Sequence, residues 1–273
     1  MHFHFIFSAA EILWTLTFAA ELVLLVVLLG RDRARRFPWF TIYIVTIALL
    51  LLTTKLLFGR MAPLASSAIF LALSDLAAIA AVLVVIELAR RSFAGASRRS
   101  LLVGATVLLV LAGALIASWG PWPAWKTLIG GSTLANLRAM QMFADKGAVF
   151  TALLDVELAI AIMLLGRRFH GGWRTHAQQI VIGLSTAALS QLAVRGIWQL
   201  IATHTTVHSQ AQYERLMALR DRMYQANNVV FLCALVWWVV WLWLEEPAAG
   251  ADGSIQVLPE PQAALTGDPG ATA

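Results

Sequence analysis

Seven strongly apolar stretches, each long enough to cross a lipid bilayer, run through this chain of 273 residues. A helix rises about 1.5 Å per residue, so a bilayer core about 30 Å thick needs roughly 20 apolar residues. Leucine and alanine fill the stretches continuously, whereas the strands of a membrane barrel alternate apolar and polar residues. The sequence therefore predicts an all-α integral membrane protein, a seven-helix bundle. The predicted spans lie near 9–29, 38–58, 65–88, 101–119, 147–165, 177–203 and 224–244.

Basic residues indicate how the bundle is oriented. The short connections after the first, third and fifth stretches carry Arg31, Arg33, Arg35 and Arg36, then Arg90, Arg91, Arg98 and Arg99, then Arg167, Arg168 and Arg174. Such connections lie on the cytoplasmic side. We therefore expect a multi-pass protein of the plasma membrane, the inner membrane of a bacterium, with its N-terminus outside and its C-terminus in the cytoplasm. The formal charge of +5 is then a consequence of topology, and no nucleic-acid partner is expected.

The segments outside the spans differ in character. Residues 1–244 are predicted to form the transmembrane domain, and residues 245–273, which contain five acids and no base, are predicted to be a disordered acidic cytoplasmic tail. The outer segment 133–143 has apolar residues at helical spacing and is predicted to be a short interfacial helix. Residues 210–223 are predicted to extend a neighbouring span beyond the membrane.

Tryptophans cluster near two predicted boundaries of the membrane. Trp119, Trp122 and Trp125 follow the fourth stretch, and Trp237, Trp238, Trp241 and Trp243 end the seventh. Because tryptophan is enriched at both membrane interfaces, we interpret both groups as interface anchors.

A few ionisable residues interrupt the apolar stretches, where charge is expensive. Glu21, Asp75, Asp155 and Glu157 lie near the middle of their spans, and Arg195 lies in the outer half of the sixth. A charge at the centre of a bilayer costs about 2.5 to 3.5 kcal/mol, so these side chains are expected to face one another or water.

Arg195 belongs to a polar helical face that we interpret as part of a ligand pocket open to the outside. Gln191, Arg195 and Gln199 follow one another at intervals of four residues and therefore share a face. In this interpretation Arg195 holds an anionic group or neutralises an acid, and Asp75 and Asp155 take a cation or proton. The full candidate set is Arg195, Asp75, Asp155, Glu157, Glu21, Gln191 and Asn228, with Gln191 and Asn228 orienting the ligand. The alternative is that Arg195 pairs with one of the acids and only specifies helix packing.

His204 and His208 have the spacing at which two histidines on a helix can chelate a metal ion. No carboxylate completes a recognisable metal-binding signature around them, and two exposed histidines at a helix end are the plainer interpretation.

No catalytic motif is present in the sequence, which contains no Walker loop, Rossmann glycine fingerprint, nucleophile elbow or H-E-x-x-H pair. The sequence also indicates no particular cofactor. Two hypotheses follow. In the first, the protein binds a small ligand, proton or cation and acts as a sensor or transporter, with the lipid bilayer around it. In the second, it is a non-catalytic structural or accessory subunit whose helices meet other membrane subunits.

Overall fold

The computed structural model describes residues 8–57, 60–93, 95, 97–120, 122, 132–165, 175–206 and 209–246. Every element in this part of the chain is an α-helix. The helices are α1 (Ala9–Gly30), α2 (Arg33–Arg36), α3 (Pro38–Leu57), α4 (Pro63–Ser92), α5 (Arg98–Ser118), α6 (Thr133–Leu165), α7 (His176–His204) and α8 (Gln210–Trp243). Six of them, α1, α3, α4, α6, α7 and α8, are long and apolar enough to cross a membrane. The apolar part of α5 is the shorter segment Leu102–Ser118.

Residues at the helix starts explain where the helices begin. Ser8 and Glu11 form a reciprocal capping box before α1, which satisfies backbone N–H groups that have no partner inside the helix. Ser97, Thr175 and Ser209 accept hydrogen bonds from backbone N–H groups at the starts of α5, α7 and α8. Helices α3 and α4 begin with proline, whose missing N–H costs nothing in a first turn.

Helices α6 and α8 are longer than a bilayer requires. Helix α6 is one continuous element of 33 residues, so the prediction of a separate interfacial helix over 133–143 is wrong. No proline occurs between Thr133 and Leu165, and the helical hydrogen bonding therefore continues into the apolar stretch. The prediction that 210–223 extend a neighbouring span is confirmed, because these residues form the first part of the 34-residue helix α8; their position beyond the membrane stays a prediction.

The six long helices form a closed ring in the order α1, α3, α4, α6, α7 and α8, and α8 packs back against α1. Helix α5 lies outside this ring and packs mainly on α6. Its first turns meet α4 and α6 in an apolar crevice lined by residues such as Phe93, Gly104 and Leu154. At its other end Trp119 lies against Gly196 of α7. Helix α5 therefore crosses the outside of α6 diagonally, from α4 towards α7.

The two ends of the ring differ in packing. We name the end that carries Gly30, Pro38, Ser92, His176 and Trp243 the closed end, and the opposite end the open end. At the closed end the space inside the ring is filled by fully buried side chains. Among the largest are Trp238, Phe40, Leu24, Leu28, Ile44 and Leu235.

Trp238 is the largest of these buried side chains, and it corrects one prediction from the sequence. It is 0% exposed, whereas its neighbour Trp237 is 40% exposed. The indole Nε1 of Trp238 donates a hydrogen bond to the Ile180 carbonyl oxygen at 3.2 Å, and its ring packs edge-on against Phe40 with 5.2 Å between centroids. Trp238 is therefore a core residue and not an interface anchor, because the face of α8 on which it lies points into the ring.

Glu246, just after α8, ties three parts of the closed end together. Its carboxylate lies 2.5 Å from the Arg36 guanidinium and accepts a hydrogen bond from the His176 backbone N–H at 3.1 Å. Arg33 also donates to the carbonyl oxygen of Leu244. We name Glu246, Arg36 and His176 the clasp, since it joins the end of α8 to α2 and α7. The other residues of the predicted tail, 247–273, lie outside the described part of the chain.

The clasp predicts a pH-dependent contribution to stability. Burial raises the pKa of Glu246, but the His176 amide and the Arg36 charge outweigh this effect and hold the pKa below its ordinary value of 4.5. The contribution is therefore fully present above that pH and is lost as the pH falls through the folded-state pKa. We expect Glu246→Gln to lower the free energy of unfolding by about 1 kcal/mol at neutral pH, and by less below pH 4.5.

The measurement is thermal unfolding of the purified protein in detergent over a range of pH. The matched control is Glu245→Gln, because Glu245 is the adjacent acid and is exposed. An equal effect of the two substitutions at every pH would show that the clasp adds no stability.

Candidate functional site

A cavity of about 330 Å³ lies inside the ring on the open-end side of the packed core. Helices α3, α4, α6 and α7 supply its walls. The apolar part of the lining includes Ile47, Leu50, Phe70, Leu71 and several alanines. The polar part consists of Tyr43, Ser74, Gln141, Asp145, Thr151, Gln191 and Arg195. An apolar cavity with a few convergent polar groups is the usual form of a small-molecule site.

Arg195 contributes a positive charge to the cavity wall. Its Nη1 donates to the backbone carbonyl oxygen of Asp145 at 3.2 Å and lies 3.9 Å from Oδ1 of the same residue. The Arg195 side chain is 25% exposed and that of Asp145 is 62% exposed, so the pair is partly hydrated. The Nε of Arg195 is buried and has no hydrogen-bond partner within the described residues. The guanidinium, which has five N–H donors, therefore retains donors for a further acceptor.

Two acids lie beside Tyr43, which is one of the residues lining the cavity. Asp155 of α6 is 8% exposed and Glu21 of α1 is 0% exposed, and both are within electrostatic range of the Tyr43 hydroxyl. Neither carboxylate oxygen of Glu21 has a hydrogen-bond partner in the described part of the chain. A carboxyl group buried in this way requires a proton, a cation or a basic partner. Tyr43 thus lines the cavity, while the two buried carboxyl groups lie outside the lining and within electrostatic range of its phenol.

The structure brings some of the sequence-predicted residues together and separates others. Arg195 and Gln191 line the cavity, and Asp155 and Glu21 lie beside its Tyr43. Asp75 instead lines a groove between α4 and α6. Glu157 lies about 200° around α6 from Asp155, is half-buried, and has both carboxylate oxygens without a hydrogen-bond partner among the described residues.

Asn228 and His204 are also separate from the cavity. Asn228 is exposed and lines another depression together with Trp198 and Arg220. His204 is exposed, and its Nδ1 lies 3.0 Å from both Thr203 Oγ1 and the Leu200 carbonyl oxygen, while His208 lies outside the described residues. Within the residues that the structure describes, no group of three His, Cys, Asp or Glu side chains is placed to hold a metal ion.

Several cavity residues were not identified from the sequence. On α6, Gln141, Asp145, Ala148, Thr151 and Asp155 follow at intervals of three or four residues, which places them along one side of the helix. This spacing is a signal that would have found Gln141 and Thr151. Tyr43 carries a comparable signal, because it is the one tyrosine in the first 200 residues.

Comparisons of the chain with protein-family models, with curated proteins and with solved structures find no match.

Proposed function

We propose that this chain is a seven-helix protein of the bacterial inner membrane that binds a small ligand with an anionic group in a cavity open to the outside. The observation that carries the proposal is the asymmetry of the ring. Its closed end is filled around Trp238, whereas its other half holds the cavity, with Arg195 and Gln191 in the wall. A ligand would therefore enter and leave on one side.

The orientation in this proposal rests on the basic residues. The closed end carries the arginines around α2 and at the end of α4, and positive charge is retained on the cytoplasmic side. Helix α5 is proposed as the seventh crossing. Its start follows α4 by a short connection, and its far end contacts α7 and Lys146 of α6, which supports a full passage along the ring.

The chemistry of the lining supports the choice of ligand. Arginine binds carboxylate and phosphate groups through several parallel N–H donors, and the Gln191 and Gln141 amides supply additional hydrogen bonds. The volume of about 330 Å³ suits a small molecule. Glu21 and Asp155, which lie outside the cavity lining but within electrostatic range of Tyr43, would each carry a proton.

Among the roles open to such a protein, we favour a sensor over a transporter. Passage through the ring would require the packing around Trp238 and the clasp to open together. Transporters commonly use interrupted helices at their sites, whereas α6 and α7 run unbroken past the cavity. A sensor would pass its signal to another protein.

One experiment with charged thiol reagents tests this proposal. In a Cys233→Ala background, Ser74→Cys places a thiol in the cavity wall, and Leu28→Cys places the control thiol in the packed core. Right-side-out vesicles are treated with membrane-impermeant anionic or cationic methanethiosulfonates. We expect reaction at position 74 and none at position 28. In the presence of Arg195 the anionic reagent should react faster than the cationic one at position 74. The ratio of the two reaction rates should fall about tenfold in Arg195→Gln, because a unit charge acts strongly in a partly aqueous cavity.

The possible results separate the parts of the proposal. Reaction at position 74 only in inverted vesicles would reverse the orientation. Equal rates for the two reagents, with no effect of Arg195→Gln, would exclude Arg195 as an anion-attracting group. The matched control is Arg220→Gln, because Arg220 lines the separate depression near Asn228 and is expected to leave the rates at position 74 unchanged.

A second candidate function is that of an accessory subunit in a membrane complex. The specific observation in its favour is the groove that contains Asp75, which lies on the outer surface of the ring between α4 and α6.

A further inference from the structure

Asp75 lies in the middle part of α4, yet it is not among the residues that line the cavity. It is the thirteenth residue of this 30-residue helix, far from either end. The groove around it has a volume of about 300 Å³ and is lined by Ala78, Ile79, Val82, Phe143, Gly147, Phe150 and Thr151. A carboxyl group is thus located among apolar side chains at the depth where lipid would surround the bundle.

The groove is not covered by the rest of the described chain. Ile79 is 59% exposed and Phe143 is 63% exposed. Helix α5 covers α4 and α6 farther towards the closed end and then turns towards α7, where Trp119 meets Gly196. This diagonal path leaves the open-end half of the α4–α6 boundary exposed.

No basic side chain of the described chain pairs with Asp75. Its Oδ1 is buried and has no hydrogen-bond partner among the described residues. Lys146 is engaged by the Trp119 carbonyl oxygen and the Trp122 ring, and Arg195 by Asp145. Ionisable residues in membranes almost always face the bundle interior, a water-filled cavity or a partner of opposite charge. The groove meets none of these conditions by itself.

We propose that this groove is the docking site for a transmembrane helix of another protein, and that a lysine or arginine of that helix pairs with Asp75. Phe143 and Phe150 would pack against the docked helix. Charge complementarity determines the chemistry of the partner. A second copy of this chain fits poorly, because Arg195 faces the cavity inside the ring, and Lys55 lies in the last turn of α3, 3.7 Å from Glu11.

The groove and the cavity lie on opposite sides of the same wall. Ala78 and Thr151 line both the groove and the cavity, and Gly147 allows α4 and α6 to approach closely, since a Cβ there would lie 3.0 Å from Ala78. A helix docked in the groove would be separated from a bound ligand by these small residues alone. The inference does not depend on what the cavity binds.

The test uses model transmembrane peptides and the full-length protein in phosphatidylcholine vesicles. One peptide is a leucine–alanine helix with a single central lysine, and the matched peptide has leucine in that place. Energy transfer between labelled protein and labelled peptide reports association. We expect the lysine peptide to bind about tenfold more tightly than the leucine peptide. This preference should disappear in Asp75→Asn and persist in Glu157→Gln, which removes another half-buried acid that has no hydrogen-bond partner among the described residues.

Three results would overturn the proposal. Equal binding of the two peptides to the unaltered protein would do so without any variant, which guards against a misfolded Asp75→Asn protein. If the lysine peptide still binds the Asp75→Asn protein more tightly than the leucine peptide does, the lysine pairs with a group other than Asp75. Energy transfer between differently labelled copies of the protein would report self-association. If that signal is lost in Asp75→Asn, the groove binds a second copy of this chain and not another protein. None of these outcomes affects the reagent rates at position 74, so the two proposals fail separately.

Discussion

Replacing Trp238 with alanine is expected to lower the free energy of unfolding by about 3 to 5 kcal/mol, the usual range for removing a buried aromatic side chain. The indole is fully buried, so its removal leaves a cavity where the helices of the closed end converge. The substitution also removes the edge-on contact with Phe40 and the hydrogen bond to the Ile180 carbonyl oxygen. The measurement is equilibrium or thermal unfolding in detergent.

The adjacent tryptophan provides a matched control. Trp237 is the same residue type on the same helix, but its side chain is 40% exposed on the outside of the bundle. We expect Trp237→Ala to change stability by about 1 kcal/mol or less. Similar losses for the two variants would mean that the interior position of Trp238 is not what stabilises the closed end.

Placing a side chain at Gly183 is expected to have the second largest effect. A Cβ at this position would lie 2.3 Å from the Trp238 Nε1, far inside van der Waals contact. Helices α7 and α8 would therefore have to separate, or the indole would have to leave its rotamer. We expect Gly183→Val to lower the free energy of unfolding by about 3 kcal/mol, the upper part of the range for overpacking, in the same unfolding measurement.

Two further comparisons test the cause of this loss. A Cβ added at Gly113 of α5 would have no atom within 4 Å, and Gly113→Val is expected to be nearly neutral. If the indole is the obstacle, Gly183→Ala should destabilise the protein less in a Trp238→Phe background than alone, because the smaller ring leaves room. Strict additivity of the two substitutions would show that they do not share one contact.

The packing at the closed end also bears on how a ligand signal would travel. Trp238 and the clasp hold α2, α7 and α8 together at one end, while the cavity separates α3, α4, α6 and α7 towards the other. The α4–α6 boundary forms part of this cavity wall, and its outer surface carries the Asp75 groove.

The fold was largely predictable from the sequence, and the site only in part. Six of the predicted spans correspond to long apolar helices of the structure, because hydropathy and length act locally. The grouping of Gln191 with Arg195 in one cavity follows from helical periodicity alone. That the cavity binds a ligand stays a prediction. The proximity of Glu21 and Asp155 to Tyr43 could not be predicted, since it depends on how three distant helices are rotated.

The predictions that differ from the structure have a common cause. The position of Trp238 near a span end predicts an interface residue, and the depth of Asp75 along its span predicts that it lies with Arg195. Depth along a helix can be counted in residues, but rotation about the helix axis cannot be obtained in this way. In a membrane helix nearly every face is apolar, so the hydrophobic pattern does not indicate which face meets protein and which meets lipid.

The sequence by itself determined that this chain has the long apolar helices of a membrane protein and which ionisable side chains interrupt them. These properties depend on the free energy of transferring each residue from water into a membrane, summed along the chain. Only the tertiary structure decided that six helices close into a ring with α5 outside it, that Trp238 fills one end, and that Arg195 and Asp75 face different spaces. The physical reason is that helix order and rotation are set by packing between segments far apart in sequence, where small residues and buried contacts determine the outcome.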